Sequence, residues 1–419
     1  LAASLTGTPP TIQRRSSLIF LALSWLVAIN LRSVLLAVPP VLPQIRQDIG
    51  LSYTATGLLT SLPTLLMGLA AVPGAFLIAR VSARAAVTVG VFLLTAGALL
   101  RALLPSALPI FVFTALLSLG IASAQTALPV LVRQWFPNHI GLATAIYSNG
   151  LIIGEVLGAS LTIPVLVWLG GTWRTSFIFW GIPAAVTLVL WFVFAPRARW
   201  GATARGVTQW QAGWKTWRGW RVGLLLGSGS LVYFAMNTWI PNYEQAIGRG
   251  AEYPTALGIL NGIQLPTSIL VIVFARLLAG RRWVFIVSGV LCVTGIFGWL
   301  FAPSVNLLWV GMLGLGSATV FLLGLALPAL LAPEAEVAGY TGMALTIGYA
   351  NAFFGPLIGG WLWDVTGVAA LTFIPVIVAS FGQIVLGALL PRLASEAPDD
   401  DYEQERNLEA DAPSSSLLR

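Results

Sequence analysis

The sequence predicts an all-α membrane protein in which twelve transmembrane helices form two pseudo-symmetric bundles of six. Three observations carry this expectation. Hydrophobic residues fill 57% of the 419 positions and charged residues 9%, against roughly 25% charged in soluble domains. Apolar windows of about 20 residues, the length that spans the hydrocarbon core as a helix, recur twelve times along the chain. Short words of the first half return in the second: ALPVL at 127–131 as ALPAL at 326–330, and LPT at 62–64 as LPT at 265–267. The two pairs lie 199 and 203 positions apart on corresponding helices, as a parallel repeat of six helices requires.

A polar segment, 1–16, precedes the first span, 17–44. That span is read as a retained helix and not a cleaved signal, since its apolar pattern runs on past Arg32 with no small-residue cleavage site. Its end, PPVLP at 39–43, predicts a bend, because proline has no N–H to donate. Spans at 53–79, 84–104, 108–132, 140–168 and 173–195 complete the first bundle, 17–195. Residues 196–216 are the longest connection and are predicted to be a cytoplasmic linker. Trp210, Trp214, Trp217 and Trp220 share a helical face there beside Lys215 and Arg218. This pattern fits either an amphipathic segment on an anionic leaflet or a Trp-rich start to the seventh span. The second bundle, 217–391, holds spans at 217–245, 253–279, 282–302, 305–331, 337–363 and 367–391. Beyond Arg392 eight acids lie among Ser and Pro, the composition of a disordered tail, 392–419.

Basic residues orient the chain. With the N-terminus inside, fifteen Lys and Arg fall on the cytoplasmic side, and four (Arg46, Arg101, Arg174 and Arg249) fall outside. The positive-inside rule then places both termini in the cytoplasm of a cell whose inner (plasma) membrane holds the protein.

Several chemistries are excluded. The single cysteine, Cys292, cannot form an intramolecular disulfide, and the single histidine, His139, sits in a polar connection with no His/Cys/Asp/Glu cluster at ligand spacing. No metal or cofactor is expected. There is no GxxxxGK[ST] loop, so any uphill movement must draw on an ion or solute gradient. The spans contain no His, no Asp and one deep acid, Glu155, too little for an intramembrane enzyme. No nucleic-acid partner is implied, and the chain is expected to be a monomer in the lipid bilayer.

The informative residues are the two ionisable groups read as deep in the membrane, Arg32 and Glu155. An arginine at the centre of a membrane helix costs at least about 2.5 to 3.5 kcal/mol by insertion scales. Arg32 lies fifteen positions after Ser17 and Glu155 fifteen after Ile140, about 22 Å along each helix, so they share a level. In one reading Arg32 holds an anionic or strongly polar substrate, and Glu155 carries a proton or adjusts the arginine's availability. In the other they are a permanent ion pair between the first and fifth spans. The second half offers an aromatic and amide wall instead: Tyr233, Asn237 and Trp239 on the seventh span, Asn261 and Gln264 on the eighth, and Tyr349, Asn351 and Phe353 on the eleventh, with Gln125 on the fourth. Gly150, Gly154 and Gly158 make a small-residue stripe on which another helix can lie closely.

The stretch NLRSVLLAVPPVLPQIRQDIGLSYTATGLLTSLPTLLMGL, residues 30–69, resembles the opening of the cyanate and 2-nitroimidazole transporter group of the major facilitator superfamily. The parts that match are Asn30, Leu31 and Arg32, the Pro-rich end, then Gly50, Leu51, Ser52, Gly57, Leu58 and Leu59. The resemblance implies a carrier for small anionic or polar compounds, driven by proton-motive force or facilitative, with Arg32 as the cation facing substrate. One departure stands out: the superfamily's Gly-x-x-x-Asp-Arg loop reads AFLIARVSAR here, with Ala79 before Arg80. The function expected is secondary active transport of a small anion, cyanate-like or organic, by alternating access and with protons as a possible co-substrate. The alternative is proton-coupled export of neutral or cationic drugs, which would suit Glu155 better than Arg32.

Overall fold

A computed structural model describes residues 14–80, 82–104, 106–136, 139–195, 214, 216–332 and 337–390. The polar N-terminal segment, most of the linker and the acidic tail lie outside the described residues, as do the side chains of Ala79 and Arg80. Every regular element among the described residues is helical.

The first span is α1 (Arg14–Leu36), a 3-10 turn (Pro39–Val41) and α2 (Leu42–Ile49). Pro39 and Pro40 cannot continue the hydrogen-bond ladder, and Val38 N turns to Leu35 O at 3.3 Å. The bend expected at PPVLP is therefore present, and it leaves Val34 O without its usual partner four residues on. The rest of the first half is α3 (Tyr53–Arg80), α4 (Ala83–Leu103), α5 (Ala107–Trp135), α6 (Ile140–Leu169) and α7 (Trp173–Phe194). Gly50 and Gly170 end α2 and α6 with φ of 74° and 60°, the left-handed stop that glycine allows without strain. Ser82 caps α4, accepting from Ala85 N.

The second half begins with α8 (Trp217–Ala246), so Trp217 and Trp220 belong to the spanning helix itself. Two of its spans, expected to be continuous, are broken. The eighth is α9 (Tyr253–Gly262), α10 (Gln264–Val273) and α11 (Ala275–Leu278), and the tenth is α13 (Asn306–Gly324) and α14 (Leu327–Leu331). Pro266 and Pro328 would have to donate to Gly262 and Gly324, the last residues of α9 and α13, and have no N–H to do so. α12 (Arg282–Phe301), α15 (Val337–Thr366) and α16 (Ile374–Ala388) complete the chain.

Nine of these segments are long and apolar enough to cross a membrane. The α3, α8 and α15 helices, of 28, 30 and 30 residues, complete the twelve-span bundle. Large side chains such as Phe92, Trp168, Phe192, Ile272 and Phe301 point outward, as they must where the solvent is lipid. The buried clusters divide near the middle of the chain. Two draw on residues 20–195, one of them reaching Tyr233, and two on residues 222–390. We call the end of the bundle where α1 and α6 begin the base, and the other end the crown.

Candidate functional site

Arg32 and Glu155 meet where α6 lies along α1. The glycine stripe sets that approach: a Cβ on Gly150 would stand 2.7 Å from Trp25 O, one on Gly158 2.6 Å from Ser33 O, and one on Gly154 3.0 Å from Arg32 Cβ. Backbone contact at that range brings Arg32 of α1 level with Glu155 of α6. Arg32 Nε lies 3.5 Å from Glu155 Oε1, with both residues buried. That Nε has no hydrogen-bond partner, so the pair is a Coulombic contact that leaves donor capacity on the guanidinium unused.

The neutral wall arrives from the second half. Tyr233 Oη lies 2.6 Å from Asn261 Oδ1 and 3.1 Å from Glu155 Oε2, and its single proton serves one of them at a time. Gln264 Nε2 donates to Glu155 Oε2 at 3.0 Å, and Asn261 Nδ2 donates to Asn237 Oδ1 at 2.9 Å. The break at Ile263 separates α9, which carries Asn261, from α10, which carries Gln264. Broken spans at the midplane are where membrane carriers place substrate contacts. Gln125 Nε2 donates to Tyr349 Oη at 3.0 Å, tying α5 to α15.

These groups border a cavity of about 190 Å³ lined by Arg32, Ser148, Glu155, Ser230, Tyr233, Gln264, Ser317 and Tyr349, with Leu151, Ile152, Phe234, Phe321, Leu322 and Leu325 as its apolar part. Four of the sequence candidates are thus on its wall with Glu155: Arg32, Tyr233, Gln264 and Tyr349. Asn261 and Gln125 stand behind it and hold Tyr233 and Tyr349. Asn237 lines a smaller neighbouring cavity. Trp239, Asn351 and Phe353 do not line the main cavity. Trp239 packs tilted against the stacked Tyr53 and Trp363 rings toward the crown, Asn351 lies against Gly227 of α8, and Phe353 meets Phe354 edge-on. The reading of residues missed Ser230 and Ser317, hydroxyls without a distinguishing local pattern, and the apolar lining.

One basic residue is more buried than a residue at the end of a span suggests. Arg101, counted from the sequence on the outer side within the span 84–104, is 1% exposed in the last turn of α4.

The two ends of the cavity differ. Toward the base it shares Ser148, Ile152 and Leu322 with a crevice of about 810 Å³ between α1, α6, α10 and α13. At the crown, α3 packs on α15. The Asp364 carboxylate accepts from Tyr53 N at 2.9 Å, Thr54 N at 2.7 Å and Thr54 Oγ1 at 2.6 Å. It thereby satisfies the free N–H groups at the start of α3 from the other half of the chain. Tyr53 stacks on Trp363 at 3.8 Å, and Thr238 donates to Thr60 at 3.0 Å. The protein is thus closed at the crown and open toward the base.

Two six-helix halves around a central cavity closed at one end have the architecture of a membrane transporter. The family model of the Major Facilitator Superfamily matches residues 19–280, and the chain belongs to that superfamily. It is 30% identical over 345 residues to the cyanate transport protein CynX of Escherichia coli (strain K12), covering 82% of this chain and 89% of the relative. It is 27% identical to the 2-nitroimidazole transporter of the same organism, over 90% of this chain and 96% of that one. Among solved structures, the nucleoside transporter NupG superposes with a TM-score of 0.71 at 14% identity, over 90% of this chain and 98% of that chain. A bacterial homologue of the human lysosomal transporter Spinster gives 0.70 at 14%, over 91% and 95%. These likenesses support a twelve-span fold for a multi-pass membrane protein that moves a small molecule.

Proposed function

We propose that the chain carries a small anion, or a small solute with an anion-like acceptor group, and that Arg32 binds it. The observation that carries this reading is a buried guanidinium with an unused Nε on the wall of the central cavity. Arginine keeps its charge when buried and presents a planar fork of donors. Cyanate and a nitro group both offer compact, electron-rich acceptors to such a fork, and the relatives named for cyanate and 2-nitroimidazole transport favour this substrate class. Glu155 then supplies the counter-charge while the site is empty, and substrate takes its place beside Arg32. Protonation of Glu155 releases the arginine for substrate, which couples transport to a proton gradient. Tyr233, Gln264 and Tyr349 complete the wall, and Asn261, Asn237 and Gln125 hold it in place.

The apolar lining supports a second reading within the same site. Phe234, Phe321 and the leucines suit a neutral aromatic solute more than a bare inorganic ion, so export of a small drug-like heterocycle is the alternative. The chain is read as a monomer in the inner membrane, and its termini as cytoplasmic from the fifteen-to-four distribution of Lys and Arg. Purified protein titrated with cyanate, nitrate, small carboxylates and a nitroimidazole tests both readings. Binding raises the unfolding midpoint through RT ln(1 + [L]/Kd). Stabilisation by an anion that disappears in Arg32→Ala supports the first reading. Stabilisation by the nitroimidazole alone, unchanged in Arg32→Ala, favours the second.

A further inference from the structure

Arg101 has no part in the site described so far, and its setting is unusual for a cation. Among the described residues the ion pairs join Arg32 to Glu155, Arg174 to Asp48 and Arg249 to Glu244, and Arg101 is in none of them. Its guanidinium lies over the Phe177 ring at 3.8 Å, and its Nη2 donates to Val34 O at 3.0 Å. That carbonyl is the one freed where α1 ends before its prolines, so Arg101 caps a helix C-terminus, where a positive charge is favoured. This capping uses a single N–H of the five that the guanidinium carries. Arg101 Nε has no partner, and neither has Thr114 Oγ1 of α5, which is 2% exposed.

Arg101 and Thr114, the residues that carry these groups, both border one small cavity, with Thr60, Asn237 and Thr238 as its other polar residues and a mainly apolar remainder that includes Leu35, Leu59 and Phe234. Its volume is about 20 Å³, somewhat more than the roughly 10–15 Å³ that one water needs. Its far wall is the Thr60–Thr238 contact that holds the halves together at the crown, so it widens when the crown parts. It adjoins the Arg32 cavity: Phe234 lines both. Asn237 connects them through Asn261 and Tyr233 to Glu155. Val34, which Arg101 holds, is two residues beyond Arg32, about 3 Å along the helix.

We propose that Arg101 and Thr114 form a second anion subsite on the crown side of Arg32, with room as it stands for one monatomic anion and for a linear triatomic one only when the crown parts, in passage between the crown and the central cavity. This inference rests on the anion reading of the Arg32 cavity. A cation with no carboxylate beside it, a hydroxyl without a partner and a polar chain to the Arg32 cavity are what such a relay needs. Arg84 and Arg221 also bond a carbonyl through one Nη with Nε unpartnered, so what sets Arg101 apart from a cap is the unpartnered Thr114 hydroxyl on the same cavity.

Bromide is the probe, since anomalous scattering locates it in crystals of the full-length protein. The expected result is bromide in contact with Arg101 Nε and Thr114 Oγ1, and a second at Arg32. Arg101→Gln removes the first and keeps the second. Bromide at Arg32 with none at Arg101 overturns the subsite. Bromide at Arg101 with none at Arg32 instead overturns the anion reading of the larger cavity. Cyanate flux gives the functional arm: Arg101→Gln raises the half-saturating concentration about tenfold for entry from the crown and leaves entry from the base unchanged. Equal effects at the two faces show a helix cap and overturn the proposal. If Arg101→Gln fails to fold, Thr114→Val carries the same test, with about a threefold rise expected from the crown alone. An unchanged value in that variant also overturns it.

Discussion

The two walls of the central cavity are built from different chemistry. The first half contributes its charges, Arg32 and Glu155, on helices pressed together through Gly150, Gly154 and Gly158. The second half contributes neutral hydrogen-bonding groups, Tyr233, Gln264 and Tyr349, each on a broken or proline-containing span. A charge in a low-dielectric site acts strongly and over distance, whereas a neutral hydrogen bond has a net value of only about 0.5–1.5 kcal/mol. The asymmetry suggests a division of labour in which one half holds the substrate's charge and the other closes on it and reads its shape.

That division can be broken by substitution, and the expected effects fall in a definite order. The charged wall should respond most: Arg32→Ala should weaken anion binding about a hundredfold, from the roughly 1.5–3 kcal/mol of charge-assisted hydrogen bonds, as read by calorimetric titration. Arg32→Lys keeps the charge but loses the planar fork, so it should fall between Arg32→Ala and the parent. An intact affinity in Arg32→Ala would move the anion site elsewhere.

Next comes Glu155→Gln. It should abolish accumulation driven by a pH gradient while leaving exchange down a substrate gradient intact in proteoliposomes. One coupled charge at 100 mV is about 2.3 kcal/mol, or roughly fiftyfold accumulation. Parent-like accumulation in the variant would remove the proton from the mechanism.

The neutral wall should respond less. Tyr233→Phe removes one hydroxyl from Asn261 and Glu155, so a three- to tenfold loss of affinity is expected, about 0.7–1.4 kcal/mol. A hundredfold loss would show that the neutral wall ranks with the charged one. Smaller still should be the effect of Asn351→Ala and Phe353→Ala, which are off the cavity wall: affinity within about twofold of the parent.

The crown allows a separate check on the closed end. Asp364→Ala removes the carboxylate that accepts from the first residues of α3. A cysteine placed at Thr60 should then react severalfold faster with a thiol reagent added from the crown. The native Cys292 is buried, which keeps the background low. An unchanged labelling rate would show that the crown stays closed without Asp364.

Much of this was legible in the sequence because a membrane limits the possible structures. Apolar windows located the twelve spans, and the equal distance of Arg32 and Glu155 from their helix starts brought the two together. The proline run at 39–43 marked the bend. What the sequence left open was orientation about each helix axis. Asn351 is two residues from Tyr349, about 200° around the helix, so it turns to Gly227 while Tyr349 borders the cavity. Trp239, six residues from Tyr233, turns away for the same reason. The span breaks depend on how freed carbonyls are accommodated after Pro266 and Pro328, which a hydropathy window averages away. The burial of Arg101 was not legible because a cation in the last turn of an apolar helix looks exposed until Val34 of α1 and Phe177 of α7 are folded against it. Asp364 is similar: its partners are more than 300 positions away in sequence.

The central claim is that Arg32 is retained in the membrane for substrate and not to hold α1 against α6. Combining Arg32→Ala with Glu155→Ala separates the two, because it leaves no buried charge unpaired. Cyanate flux and monodispersity of this double variant in proteoliposomes and detergent are the measurement. The account expects a folded, monodisperse protein that carries no cyanate; a double variant that carries cyanate as the parent does would contradict it.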